Sequence, residues 1–363
     1  MTDDFGVAVL GAGGTIARAI VRDLAETPEV DELLLLDVDG ARAAQVAADY
    51  GGGRARAAAV DAREGLAPML AGCRVLVNAA SYRLNLVAME AALAAGCDYL
   101  DLGGLYWMTA LQLELHERFE RAGRLAVLGM GSSPGKTNLM ALRGARELEG
   151  EPVHEIHVAA AGRDPAPVAG LWAPYALRTL LDEITMAPVV LDEGEPRELE
   201  PLAPGGFVRF PDPIGEVPTI YTLHSELQTF GTSFGVQQAS FRLSLPPGLL
   251  RRLSGLRDAA EEEVAAAQAQ TSPPSSHALS GHVVEVRSAT GRTVRVSALT
   301  RPMEEWSLGG GVVSSAAPAA GLVRLMARGR IDATGVHPPE TCVEPDDLFP
   351  ELERRGCAIE VTS

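Results

Sequence analysis

The chain has 363 residues, 47% of them hydrophobic, and a formal net charge of −17. Its length supports more than one domain with a sizeable core, and its composition excludes a disordered or fibrous chain. The negative charge argues against nucleic acid or an anionic membrane as partner, because phosphate would be repelled, and no apolar run reaches the ~20 residues that span a bilayer.

The opening, MTDDFG, is acidic and is not the basic leader of a secreted protein. VAVLGAGGTIARAI then runs from an apolar strand through a glycine turn into a helix, and LLLLDVDG supplies a second strand ending at Asp37. This is the βαβ arrangement that binds a dinucleotide. Gly11 permits the tight turn, Gly13 or Gly14 lets the backbone approach a pyrophosphate, and Thr15 and Ile16 open a helix whose unpaired N–H groups suit an anion. Read as GxGxxG, the third position is Ile16; read as GxxGxxA, the pattern uses Gly11, Gly14 and Ala17 and restores a small residue for helix packing. Asp37 lies about 20 to 25 residues further on, with Val38 beside it, at the offset of a carboxylate that binds the adenosine ribose. A carboxylate there repels a 2′-phosphate, so the expected cofactor is NAD. Arg42 could relieve that repulsion, which leaves NADP open.

A third strand, RARAAAVDA, ends at Asp61 and Ala62; Asp61 either bonds an adenine amino group or caps the next helix. The fourth, CRVLVNAA, leads into SYRLN, so Asn78, Ala79, Ala80 and Ser81 occupy the loop beside which a nicotinamide usually lies. DYLDLGG is a fifth strand ending at Asp101, Gly103 and Gly104. After the helix LQLELHERFERAG, a sixth strand, RLAVLGM, opens into GSSPGKTN. Six alternating strands and helices predict an α/β fold with a Rossmann-type doubly wound parallel sheet, nearly complete by residue 138.

The pattern then changes. EIHVAAAG, VVLDEGEPRELEPL, FVRF, TIYTLHSE and SFRLSL read as shorter strands, and Pro247 to Gln268 as one charged amphipathic helix. TSPPSSHA is a loop, and HVVEVRSATGRTVRVSALT a hairpin turning at Thr290 and Gly291. These features predict an α+β region of mostly antiparallel strands. PAAGLVRLMARG returns to helical character and GCAIEVT closes as a strand. Four cysteines, Cys73, Cys97, Cys342 and Cys357, lack CxxC spacing, which fits free thiols in a reducing cytoplasm.

VAVLGAGG with DVDG, VLVNAASYRLN, AAGCDYLDLGG, LHERFERAG, GSSPGKTN and GVHPPE, in that order, resemble the saccharopine dehydrogenase-like family, most nearly its lysine 6-dehydrogenase branch. The resemblance implies an NAD(P)-dependent oxidoreductase acting at a C–N bond of an amino acid or related amine. Other members, the saccharopine reductase and carboxynorspermidine dehydrogenase types, reduce the imine joining an amine to a carbonyl compound. It further implies a dinucleotide domain over 1–138, an α+β domain over 139–310 that shapes the substrate site and supports a homodimer, and a segment 311–363 that packs back on the first domain. The family's APG loop aligns with Ser133, Pro134 and Gly135, and its asparagine with Asn138. Ile16, Ser133 and Lys136 depart from the family pattern, the last two beside the expected substrate site.

Oxidising an amine by hydride transfer requires the neutral amine, so a group must take its proton. Lys136, on the loop after the sixth strand, either binds a substrate carboxylate, acts as acid or base if desolvated, or is a solvated loop lysine or one pairing with the cofactor. Asp101 either bonds a ligand amine or caps the Gly103–Gly104 turn. Trp172 and Tyr175 either wall the substrate site or staple the core. His224 is the best-placed histidine for proton transfer. Arg178, Arg209 and Arg242 are candidate clamps for a substrate carboxylate. His154 and His157, three apart on a strand, face opposite sides and cannot share a metal, so no metal is expected. PGKT lacks the glycine lead of a phosphate-binding loop, which removes triphosphate hydrolysis. A dinucleotide-binding sensor without turnover is the alternative from another class.

Overall fold

The computed structural model describes residues 5–167, 171–173, 175–272 and 274–363. Met1–Asp4 of the acidic opening lie outside them. The chain divides into two compact units, Met1–Lys136 with Ser315–Glu351, and Thr137–Ser314 with Leu352–Ser363.

In the first stretch, strands and helices alternate as the hydrophobic pattern predicts: β1 (Gly6–Leu10), α1 (Thr15–Ala25), β2 (Glu32–Asp37), α2 (Gly40–Tyr50), β3 (Ala55–Ala59), α3 (Ala62–Met69), β4 (Val75–Asn78), α4 (Asn85–Ala95), β5 (Asp98–Asp101), α5 (Tyr106–Leu113), α6 (His116–Arg121) and β6 (Leu125–Val127), ending in α7 (Lys136–Arg146). β1 and the LLLL of β2 are buried, as strands covered on both faces must be apolar throughout. The second stretch runs through β7 (Val153–Arg163), α8 (Leu177–Thr185), β8 (Val189–Asp192), β9 (Glu195–Glu198), β10 (Pro204–Arg209), β11 (Glu216–Tyr221), α9 (Glu226–Phe234), β12 (Gln238–Leu243), α10 (Pro247–Ser254), α11 (Glu261–Gln270), β13 (Leu279–Ser288) and β14 (Thr293–Thr300). The chain closes with α12 (Gly310–Ala327), β15 (Gly335–His337), α13 (Pro345–Glu353) and β16 (Cys357–Thr362).

The first sheet has seven parallel strands in the order β15-β6-β5-β4-β1-β2-β3. The order reverses between β1 and β4, and the carboxyl ends there are where open α/β sheets bind ligands. β15 is a seventh strand beyond the six read from the sequence; at three residues, GVH, it is too short to show a period. The second sheet runs β10-β11-β12-β7-β13-β14-β16, with β8 joining β12 and β9. Its ladders are antiparallel except β12 with β7, so it is mixed.

Three expectations change. The helix read over LQLELHERFERAG divides between α5 and α6. The single helix from Pro247 to Gln268 is two, α10 closing at Gly255 and α11 restarting where the Ala260 N–H donates to Glu263 Oε2 at 3.2 Å. The segment 311–363 divides between the units, because β16 pairs with β14 along the edge of the second sheet. α12 has the length and composition of a membrane span, yet 78% of it is buried in the fold, as in the core helix of a globular protein.

Candidate functional site

At the carboxyl ends of β1 and β2 the glycine turn is held by Asp37. Gly13 N–H donates to Asp37 Oδ2 at 2.9 Å and Asp39 N–H donates to Oδ1 at 3.0 Å. Gly11 has φ +76° and a Cβ there would lie 2.7 Å from Ala80 Cα, so the turn leaves no room for a side chain. At Gly13 a Cβ would meet Arg42 Cδ at 2.9 Å and Asp37 Oδ2 at 3.1 Å. Gly14 precedes α1 and offers no side-chain cap; Thr15 is exposed and Ile16 buried. An uncapped helix start, a bare backbone and a carboxylate at the end of the next strand fit the pyrophosphate and ribose of a dinucleotide. Val38, 77% exposed, presents an apolar surface beside Asp37. Asp61 is the N-cap of α3, its Oδ1 accepting from Arg63 N–H at 2.9 Å, next to buried Ala62.

Two side chains of the first unit are engaged in a buried network, and for Asp101 the turn-cap alternative holds. Asn78, read as a cofactor contact, is 1% exposed and donates to Asn85 Oδ1 at 2.9 Å and to the Tyr99 hydroxyl at 3.3 Å, while its own Oδ1 accepts from Ala80 N–H. Asp101, read as a ligand contact or a turn cap, accepts from Gly103 N–H (2.9 Å), Gly129 N–H (2.7 Å), Tyr99 O–H (2.9 Å) and Gln112 Nε2 (2.6 Å). Burial pushes its carboxyl up, and these four donors offset that only in part, so it stays above the usual carboxylate range. Its acceptor capacity is therefore spent on tying the loop after β5 to the loop after β6. Asn85 Nδ2 to Gln112 Oε1 (3.2 Å) closes this buried network. Ala79 N–H donates to Leu10 O, and Ser81 caps the turn at Arg83.

The loop after β6 is closed on itself by Gly131 N–H to Pro134 O (2.9 Å) and Lys136 N–H to Gly131 O (3.0 Å). Gly135 has φ +115°, and a Cβ would lie 2.5 Å from Gly131 O. Lys136 is 1% exposed, so the reading of a solvated loop lysine is overturned. Thr137 and Asn138, in the same first turn of α7, are buried too.

In the second unit, His224 Nδ1 lies 2.6 Å from Glu226 Oε2, and Glu226 Oε1 accepts from Thr137 Oγ1 at 2.8 Å. Phe241 stacks on the imidazole with ring centroids 3.5 Å apart and planes at 15°. Burial pushes the His224 imidazole down, but the Glu226 and Glu183 carboxylates more than offset it, so it stays protonated to higher pH than a free histidine. Nδ1 is thus oriented by a carboxylate, while Nε2 takes no hydrogen bond among the described residues. Tyr175 packs against the Leu177, Leu180 and Leu181 cluster and donates its hydroxyl to Glu183 Oε2. Burial, with the Glu226 and Asp182 charges adding, raises Glu183 to about 7 against the opposing His224 charge and Tyr175 hydrogen bond. Trp172 packs on the same cluster. Arg178 is paired with Asp182 and Glu261, Arg242 donates to Gly205 O, and Arg209 is exposed on β10.

Sequence reasoning missed Glu183, Glu226 and Thr137. Glu183 had a signal, an acid among the buried residues of α8 with Leu180, Leu181 and Ile184; Glu226 had its spacing of two from His224. Thr137 had none, since its partner lies 89 residues away.

Residues 7–127 match the family model described as the saccharopine dehydrogenase NADP binding domain. The carboxyaminopropylagmatine dehydrogenase of Synechocystis sp. is 28% identical over 239 residues, which cover 61% of this chain and 58% of that protein. The match therefore spans less than two thirds of the relative's length. In fold, the apo saccharopine dehydrogenase (L-Glu forming) of Saccharomyces cerevisiae superposes with a TM-score of 0.70 at 13% identity, over 99% of this chain and 100% of that one. The first domain thus matches a saccharopine dehydrogenase NADP binding domain over residues 7–127, and the whole chain is similar in fold to saccharopine dehydrogenase.

Proposed function

We propose that this protein is an NAD-dependent dehydrogenase that oxidises a CH–NH group of an amino acid or related amine to an imine. The observation that carries the reading is the buried His224–Glu226 pair, an imidazole oriented at Nδ1 with no hydrogen-bond partner at Nε2 among the described residues, in a chain whose residues 7–127 match an NADP binding domain. A bound nicotinamide dinucleotide supplies the hydride acceptor. The chain's own residues do the rest: Gly11, Gly13 and Gly14 admit the pyrophosphate, Asp37 accepts from the ribose hydroxyls, and His224 exchanges the proton of the reacting nitrogen through Nε2. Asp37 supports NAD over NADP, since its carboxylate would meet a 2′-phosphate.

The test incubates the protein with NAD or NADP and lysine, ornithine, diamines and carboxyaminopropylagmatine, following the absorbance of the reduced cofactor. Reduction with at least one amine is expected; silence across the panel with both cofactors rejects the reading. One observation favours a second reading: an imidazole held protonated is suited to give a proton to an imine, the reductive direction. That enzyme would bind NADPH more tightly than NADH and consume it with an amine and a keto acid or aldehyde. A homodimer formed through the second sheet completes the proposal, and a monomer in sedimentation at micromolar concentration rejects that part. The four cysteines are free in the structure, which supports a reducing, cytoplasmic setting.

A further inference from the structure

Glu183 is a buried carboxyl for which the reaction above has no use. An acid among the buried residues of α8 is costly unless held, and Tyr175 holds it through Oε2. Oε1 has no hydrogen-bond partner among the described residues. Leu223 N–H donates to the Glu183 carbonyl at 3.0 Å, which fixes the His224 segment against α8. The ionisable groups around Glu183 are Tyr175, His224, Glu226 and Asp182, the last paired with Arg178 at 2.8 Å. Flanking His224, the hydroxyls of Thr222 and Ser225 are buried without a hydrogen-bond partner.

We propose that Tyr175 and Glu183 form a second proton-holding pair beside His224 and Glu226, and that Glu183 is a positioning residue that sets the protonation state in which His224 works. When Glu183 gives its proton to water, its O–H bond breaks and the electron pair remains as carboxylate charge. That charge holds the His224 imidazolium, so His224 releases its own proton only at higher pH. When Glu183 is protonated the hold is lost. The two groups thus titrate as a coupled system rather than singly. The inference rests on the functional reading only in naming His224 as the working group.

The test is a titration of the His224 ring nitrogens by NMR in the full-length protein, in wild type, Glu183→Gln and Tyr175→Phe. Glutamine keeps the shape of the side chain but carries no charge, so His224 is expected to titrate about one pH unit lower. Tyr175→Phe removes the hydrogen bond that favours the carboxylate and is expected to shift His224 the same way by less, which keeps the test open if Glu183→Gln does not fold. On an amine substrate, the rising limb of kcat against pH is expected to move with the imidazole, with dinucleotide affinity unchanged. An unchanged His224 titration in either folded variant overturns the proposal. So does a kcat profile that stays in place while the imidazole moves. Silence toward every amine counts against the functional reading, and the titration, made on the protein alone, still decides the pair.

Discussion

Asp37 and Glu183 show how far one carboxylate can reach. Asp37 Oδ2 holds the Gly13 amide while Arg42 packs its alkyl chain over the same glycine. In Asp37→Ser the repulsion of a 2′-phosphate is gone and Arg42 remains, so NADP binding is expected to tighten about tenfold or more, equivalent to roughly 1.4 kcal/mol, and NAD binding to weaken. Fluorescence titration with both reduced cofactors measures the two changes. For Glu183 the folded value is raised from 4.5 to about 7, so the folded state keeps a proton that the unfolded chain has lost. Its stabilising contribution is complete below the unfolded value and disappears as pH rises through about 7. His224, also raised, has the same sign: its contribution is present below 6.5 and is lost as pH rises through its higher folded value. Stability is therefore expected to fall between mildly acid and mildly alkaline pH. Glu183→Gln should be more stable than wild type by about 1–3 kcal/mol at the alkaline end and no more stable at the acid end, as urea unfolding at several pH values would show.

Among the elements, the strand ends of the first sheet depend on Asp101. Its carboxylate joins the loop after β5 to the loop after β6 through two backbone amides. Asp101→Asn replaces an acceptor oxygen with a donor nitrogen in a buried network, leaving an amide unpaired. A loss of about 2–3 kcal/mol is expected by urea unfolding, together with weaker dinucleotide binding. α8 and the His224 segment form the corresponding device in the second unit, where Leu223 reaches the Glu183 carbonyl. The first six strands of the first unit were legible because their periods are clean, whereas β15 has three residues and shows none. The break between α10 and α11 was not, because charged residues run through it and only Gly255 marks it.

For the molecule as a whole, the return of the late chain to the first unit rests on buried charge. Arg324 of α12, 5% exposed, donates to Glu351 Oε2 at 2.6 Å and to Asp23 Oδ1 at 2.7 Å. This joins α12, α13 and α1 across roughly the full length of the chain. Arg324→Leu takes the guanidinium away from two buried carboxylates, of which Glu351 keeps Arg328 at 2.8 Å, and is expected to cost about 3–5 kcal/mol, read as a lower urea midpoint. Asp23→Asn in the same background should recover part of the loss, since one stranded charge is removed.

The sequence by itself determined the dinucleotide-binding unit: the glycine turn, Asp37 and six alternating strands are local signals, each set by residues close together in the chain. It also singled out His224 and Tyr175 by residue type and setting. Only the tertiary structure decided what surrounds them. Glu226 Oε1 meets Thr137 from 89 residues away, Asp101 turns inward to two loops rather than outward to a ligand, and β16 joins the second sheet. The reason is physical: hydrogen bonds between distant segments leave no period or spacing in the sequence, because they are made only when packing brings those segments together.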